Sequence, residues 1–369
     1  MADDIVFYLV IATALAFDFT NGFHDTANVV ATSISTRALR PRVAVGLAAI
    51  LNFVGAFISL EVAATVGKGI VEADFITLPI VFGGLIGAIT WNIITWYYGL
   101  PSSSSHALIG GVVGAAFAAE GSQAIIGEGL LGKVAVPALI APTLEFVVAA
   151  LAILVCYRIV GRLRPGPVNA GFRGGQVISG GMLALAHGTN DAQKTMGVIV
   201  LALIAHGEIA ADDFHVPTWV VVSAASAIAL GTYVGGWRII RTMGTRIIKM
   251  DTAQGFAAQG GGAAVILAAS HAGYPLSTTH TISGAVMGAG AARRLSAVRW
   301  GVAGNMLVAW VLTIPAAGAV GAAVYGITSL FGDDSAIGPV IISAAILLGM
   351  VWTFVRRIRR GPSISAAEA

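Results

Sequence analysis

Apolar residues fill this chain in long blocks, without the strict alternation of a half-buried strand or the narrow stripe of a soluble surface helix. The blocks lie at about 5–36, 43–66, 76–98, 102–119, 134–157, 175–206, 216–237, 252–270, 276–291, 300–327 and 338–355. A helix crosses a bilayer with roughly 20 apolar residues, so the pattern predicts an all-α polytopic membrane protein. Polar residues interrupt the first block near Asn21–His24 and the sixth near His187–Asn190, which predicts broken helices at both places.

The gaps between blocks carry charge of alternating sign. Bases cluster at Arg37/Arg40/Arg42, Arg158/Arg162/Arg164/Arg173, Arg238/Arg241/Arg246/Lys249, Arg293/Arg294/Arg299 and Arg356/Arg357/Arg359/Arg360. Acids occupy the other gaps, at Asp3/Asp4, Glu72/Asp74, Glu120/Glu128, Glu208/Asp212/Asp213 and Asp333/Asp334. Bases mark the cytoplasmic side, which places the N-terminus outside and the C-terminus in the cytoplasm. Blocks 76–98 and 102–119 then form a hairpin entering from outside, and 252–270 with 276–291 a hairpin entering from inside. Hairpins of this length fit either a re-entrant or a fully spanning form.

Short motifs recur in the same order in the two halves. "NGFHDTAN" (21–28) matches "HGTNDAQK" (187–194), and "GLPSSSSHALIGG" (99–111) matches "GYPLSTTHTISGA" (273–285), while Pro142 falls opposite Pro315. Opposite orientation and shared motifs predict two inverted-topology repeats, as in many secondary transporters. The first occupies 1–160 and the second 175–327. A basic cytoplasmic linker, 161–174, joins them, and an extra C-terminal helix with a basic tail fills 338–369.

Composition narrows the class. Of 369 residues, 57% are hydrophobic and 11% charged, and the mean hydropathy of +0.86 excludes an ordinary soluble domain. The 47 glycines suit close helix packing in lipid. The basic pI reflects topology-setting clusters and not a nucleic-acid surface. The N-terminal "MADDIVFYLV" has acids where a secretory signal has bases, so the first block is read as mature structure. Cys156 is the single cysteine, which excludes an intramolecular disulfide.

Candidate chemistry concentrates at the repeated motifs. Pro followed by hydroxyl residues starts a helix, so each hairpin should present a helix N-terminus carrying Ser103, Ser104, Ser105 or Ser277, Thr278, Thr279. An interfacial cap is the plain alternative. Two such ends converging near the midplane make an anion site, and so many donors suit phosphate or sulfate better than a halide. Asp25 with Asn28, and Asp191 with Lys194, are three residues apart and share helical faces. Gly22 and Gly188 fit a break or a close approach. A charge at the bilayer centre costs about 2.5–3.5 kcal/mol, which calls for partners or a wet cavity; a structural Asp191–Lys194 pair is the alternative. Glu145 and Asn52 are further polar residues inside apolar blocks. No G-x-S-x-G, H-E-x-x-H or Walker A motif is present, so no enzyme is expected, and no cofactor.

The paired "GFHDTAN" and "HGTNDAQK", with "PSSSSHALIGG" and "PLSTTHTISGA", closely resemble the inorganic phosphate transporter (PiT) family, in particular its bacterial low-affinity members, over nearly the whole chain. The resemblance implies a secondary transporter importing inorganic phosphate, in bacteria often as a neutral complex with a divalent metal, across the cell (inner) membrane. It also admits a homodimer. Hairpin hydroxyls would hold phosphate together with Asn28 and Lys194, while Asp25, Asp191, His24 and Asn190 are assigned to the coupling ion; no residue is assigned to a metal. Sodium-coupled relatives tend to keep G-A-N-D-x-A-N in both halves, whereas this chain has Lys194 opposite Asn28 and His24 in place of an Asn. Lys194 is therefore expected to stand in for a sodium ion, with coupling to protons through Asp25, Asp191 or a nearby His. A sodium-coupled symporter, a sulfate or other oxyanion carrier and an anion channel remain the alternatives.

Overall fold

This computed structural model describes residues 2–332 and 335–359, and among them thirteen helices and no strand are present. The first half contains α1 (Ala2–Ser35), α2 (Pro41–Gly55), α3 (Glu61–Lys68), α4 (Leu78–Tyr98), α5 (Ser104–Glu120) and α6 (Gly127–Val160). The second half contains α7 (Pro165–Ala205), α8 (Thr218–Val234), α9 (Trp237–Arg246), α10 (Thr252–His271), α11 (Thr278–Ala291) and α12 (Trp300–Ser329). The last helix is α13 (Ile337–Arg359). Asp333, Asp334 and the tail from Arg360 onward, which carried part of the charge pattern, lie outside the described residues.

Among the described residues, four helices are long and apolar enough to span a membrane by themselves: α1 from Asp4, α4, α6 and α12; the bent pair α8–α9 makes a fifth. On α6 and α12 large apolar side chains such as Leu139, Leu151 and Val311 are exposed, a surface that water would not tolerate in bulk and that hydrocarbon covers at no cost. The fold is that of a multi-pass membrane protein.

The expected breaks in the first and sixth blocks do not occur: α1 and α7 run uninterrupted through their motifs. The polar side chains there find partners on neighbouring helices, so the backbone ladder has no reason to open. Gly22 and Gly188 serve close approach instead. A Cβ at Gly22 would strike the Ile228 carbonyl of α8, and one at Gly188 the Asn52 carbonyl of α2. The interruptions fall one element later in each half. Block 43–66 is split into α2 and α3, and α8 meets α9 at a 60° bend where Gly235 takes φ +73°.

The two hairpins are α4–α5 and α10–α11, and each packs against the last long helix of the other half: α5 and α4 on α12, α11 and α10 on α6. Glycines let these backbones touch. A Cβ at Gly114 of α5 would meet the Gly318 carbonyl of α12, and one at Gly284 of α11 the Pro142 carbonyl of α6. Pro142 and Pro315 both sit inside long helices. This arrangement carries the two hairpin turns to the motif segments of α1 and α7 in the interior.

Candidate functional site

Each hairpin turn is built by the same local chemistry. Gly99 and Gly273, at φ +66° and +71°, reverse the chain after α4 and α10, a conformation that costs glycine nothing. Pro101 and Pro275 follow, and then Ser103 and Ser277 cap α5 and α11 by accepting from His106 N at 3.1 Å and His280 N at 3.2 Å. These two serines are caps and are buried, not interfacial, while Ser104, Ser105, Thr278 and Thr279 stand in the first helical turns.

The tips meet. Ser105 Oγ of one hairpin donates to Leu276 O of the other at 3.2 Å, and the His106 and His280 rings lie edge to face at 4.7 Å. Trp310 of α12 stacks on His280 at 4.0 Å and donates to Pro101 O at 3.0 Å. Ser102, which the sequence did not single out, accepts from Trp91 Nε1 at 2.8 Å and lies 3.0 Å from Thr313 Oγ1, fixing the first tip to α12.

On α7, Lys194 has all three ammonium protons engaged. Nζ donates to Ser105 Oγ at 2.5 Å, Asp191 Oδ1 at 2.6 Å and Leu276 O at 2.7 Å. One side chain thus joins α7 to both hairpin tips. On α1 the corresponding Asn28 donates to Thr279 Oγ1 at 2.9 Å and Thr278 Oγ1 at 3.3 Å, and Thr279 donates in turn to Asp25 Oδ1 at 3.3 Å. Thr278 donates to Asp191 Oδ2 at 3.3 Å. None of the twelve predicted site residues is more than 4% exposed.

His24 and Asn190 occupy matching positions and brace their helices to the hairpin of the same half. His24 Nε2 contacts Thr95 Oγ1 of α4 at 3.0 Å, and Asn190 Nδ2 donates to Ser270 Oγ of α10 at 2.9 Å and Tyr274 O at 3.1 Å. Asn190 thus fastens α7 to the hairpin through Nδ2, while its Oδ1 is buried without a hydrogen-bond partner. His24 has a second contact, Nδ1 to Asp25 Oδ1 at 2.8 Å. At 2.8 Å a proton lies between Nδ1 and the carboxylate oxygen, while Nε2 and the Thr95 hydroxyl form the second bond of the ring.

The same accounting applies to His187. Thr232 Oγ1 of α8 donates to Ile228 O at 2.8 Å and therefore accepts from Asn52 Nδ2 at 2.8 Å. Asn52 Oδ1 lies 3.2 Å from His187 Nδ1. Nε2 has no hydrogen-bond partner and lies 3.2 Å from Asp191 Oδ2. Ligand atoms of Asp25, His187 and Asp191 all lie within 4.8 Å of one another, a donor set that suits a small cation.

Several contributors were not read from the sequence. Thr95, Thr232 and Ser270 are single hydroxyls in apolar helices, with no pattern to mark them. Gln193 sits inside the quoted motif, yet its role is remote: Oε1 accepts from Val62 N at 2.8 Å and Ala63 N at 3.2 Å, capping α3 where the second span breaks. Asn52, ambiguous in sequence, belongs to the His187 network. Glu145 does not; it is buried on α6 against Gly261 of α10, with both carboxylate oxygens unbonded.

Helices with apolar outer faces, closed around ionised and hydroxyl groups where two hairpin tips meet, define a polytopic membrane transporter. The chain belongs to the phosphate transporter family, which matches residues 21–171 and 162–321. It is 51% identical over 355 residues to a Mycobacterium tuberculosis (strain ATCC 25618 / H37Rv) protein described as "Probable low-affinity inorganic phosphate transporter", covering 96% of this chain and 84% of that one. A Bacillus subtilis (strain 168) protein with the same description is 44% identical, with 88% and 98% covered. A solved structure described as "The sodium-dependent phosphate transporter" superposes with a TM-score of 0.79 at 25% identity, covering 88% of this chain and 99% of that one. These relatives are transporters, and the family is not enzymatic.

Proposed function

We propose that the protein imports inorganic phosphate through the cell (inner) membrane by alternating access, in symport with protons. In this reading 1–160 and 175–327 are inverted repeats, the N-terminus is outside and the C-terminus cytoplasmic. Phosphate oxygens are taken by the hydroxyls of Ser104, Ser105, Thr278 and Thr279 and by the N-termini of α5 and α11, whose free N–H groups favour an anion. Ser103 and Ser277 hold those helix ends in shape, and Asn28 donates to the same ligand. The burial of every member of this set supports alternating access, because phosphate reaches it only through a rearrangement of the helices around it.

The observation that carries the coupling is Lys194. Its ammonium is held by a carboxylate, a hydroxyl and a backbone carbonyl oxygen at 2.5–2.7 Å, the ligand types a sodium ion selects. A tethered cation cannot leave with the substrate. The mobile charge then falls to the proton shared by His24 and Asp25 and to the cation position of Asp191 and His187. The solved neighbour is described as sodium-dependent, which makes sodium symport the competing reading.

A second reading concerns the cargo. The bare His187 Nε2 beside Asp25 and Asp191 favours a divalent metal travelling with phosphate as a neutral complex. Purified protein in liposomes tests both, with pH gradient, Na⁺ and Mg²⁺ varied separately. Uptake is expected to rise as external pH falls, since protons load from outside, and to ignore Na⁺ and sulfate. Uptake that needs Na⁺ and ignores a pH gradient overturns proton symport, and flux that never accumulates phosphate points to a channel. Indifference to Mg²⁺ removes the metal complex.

A further inference from the structure

One buried acid has no place in the site described above. Asp18 lies on α1 with no exposed surface, and neither carboxylate oxygen has a hydrogen-bond partner. The side chains that act on it most closely are Thr195 of α7 and Asn21 of α1. Thr195 Oγ1 and Asn21 Oδ1 are themselves buried and unbonded. Four oxygen atoms from two helices are therefore gathered with a single hydrogen of their own, that of the Thr195 hydroxyl.

An ionised carboxylate in such a place has lost its water without gaining a counter-charge, which is among the most costly states a side chain can adopt. Asp191 and Lys194 act on Asp18 through space from α7, with opposite signs. α4, α8 and the part of α13 before Arg356 bring no Asp, Glu, Lys, Arg or His. A proton on Asp18 resolves the cluster: the acid donates to Asn21 Oδ1, and Thr195 donates to the other carboxylate oxygen. Register adds a direction. Asp18, Asn21, Asp25 and Asn28 follow at i, i+3, i+7 and i+10 and share one face of α1. At about 1.5 Å per residue Asp18 lies roughly 10 Å along the axis from Asp25.

We propose that Asp18, with Asn21 and Thr195, is a second binding site for a transported proton, loaded and released separately from the proton of His24–Asp25. This rests on the proton-symport reading. The site takes no part in holding phosphate.

Asp18→Asn in proteoliposomes tests it, with proton uptake counted per phosphate by an entrapped pH dye and phosphate–phosphate exchange measured in the absence of a gradient. The expected result is one proton fewer per phosphate, at least a tenfold loss of pH-driven accumulation, and exchange within about twofold of the parent. Thr195→Val keeps the shape and removes the hydroxyl; it is expected to slow pH-driven uptake severalfold and to spare exchange, which supplies a folded control. An unchanged proton count in Asp18→Asn overturns the second site alone. Loss of exchange in both variants puts the cluster in the phosphate site and also overturns it. Uptake by the unmodified protein that needs Na⁺ and ignores pH overturns proton symport, and this site with it.

Discussion

The motif helices α1 and α7 place an acid at the same point and treat it differently. On α7, Asp191 is tied to Lys194 at 2.6 Å, and the lysine reaches on to both hairpin tips. On α1, the hydrogen-bond partners of Asp25 among the described residues are His24 and Thr279, neither a fixed cation, and Asn28 offers an amide where α7 offers an ammonium. In the proton-symport reading, one half thus carries a tethered cation and the other an exchangeable one. A transporter can change its ion without rebuilding its scaffold if the change is confined to one of two matching positions.

The strongest way to break the comparison is to remove one acid at a time. Asp191→Ala strands a buried ammonium, a loss of about 3–5 kcal/mol by analogy with buried pairs, and thermal unfolding of the detergent-purified protein should fall steeply. Asp25→Asn leaves no stranded fixed charge and should unfold within a few degrees of the parent while losing proton-driven uptake. Equal destabilisation by the two would show that the halves are electrostatically alike.

Next in size is Lys194→Asn, which restores the mirror. Proton-driven uptake is expected to fall more than tenfold, and Na⁺, inert toward the parent, should raise the thermal stability of the variant by occupying the vacated position. Full proton-driven uptake in this variant would remove Lys194 from its assigned role.

The smallest effect belongs to the caps. Ser103→Ala and Ser277→Ala each lose a cap worth about 1 kcal/mol, and because the two caps are equivalent their losses in stability should match. A cost confined to one hairpin, read by urea or heat, would show that the tips are not energetically equivalent.

Much of this was legible in the chain. The Pro–Ser and Pro–Leu–Ser turns gave the hairpins because Pro and a capping hydroxyl act within a few residues of each other. The paired motifs brought Asp25, Asn28, Asp191 and Lys194 to one place, since their spacing already puts them on shared helix faces. The breaks were misplaced because polar residues in an apolar block look like interruptions, while the true break after Gly55 falls in "AFISL", which is apolar. It is held by Gln193, a partner some 130 residues away. The third ligand of Lys194 is a backbone carbonyl, which carries no sequence signal at all. Asp18 stood only three residues before a recognised motif, and only its lack of hydrogen-bond partners in three dimensions sets it apart.

The exchange of hairpins between halves has a consequence for how the protein is made. α5 rests on α12, and α11 on α6, so the first hairpin enters the bilayer long before the helix that will cover it has been synthesised. Until α12 emerges, the glycine face of α5 and the serines at its tip must wait beside lipid or insertion machinery. The order of the chain therefore delays closure of the candidate site until α12 has been made, and a truncation before Trp300 should leave the first half with its own helices formed and the site open.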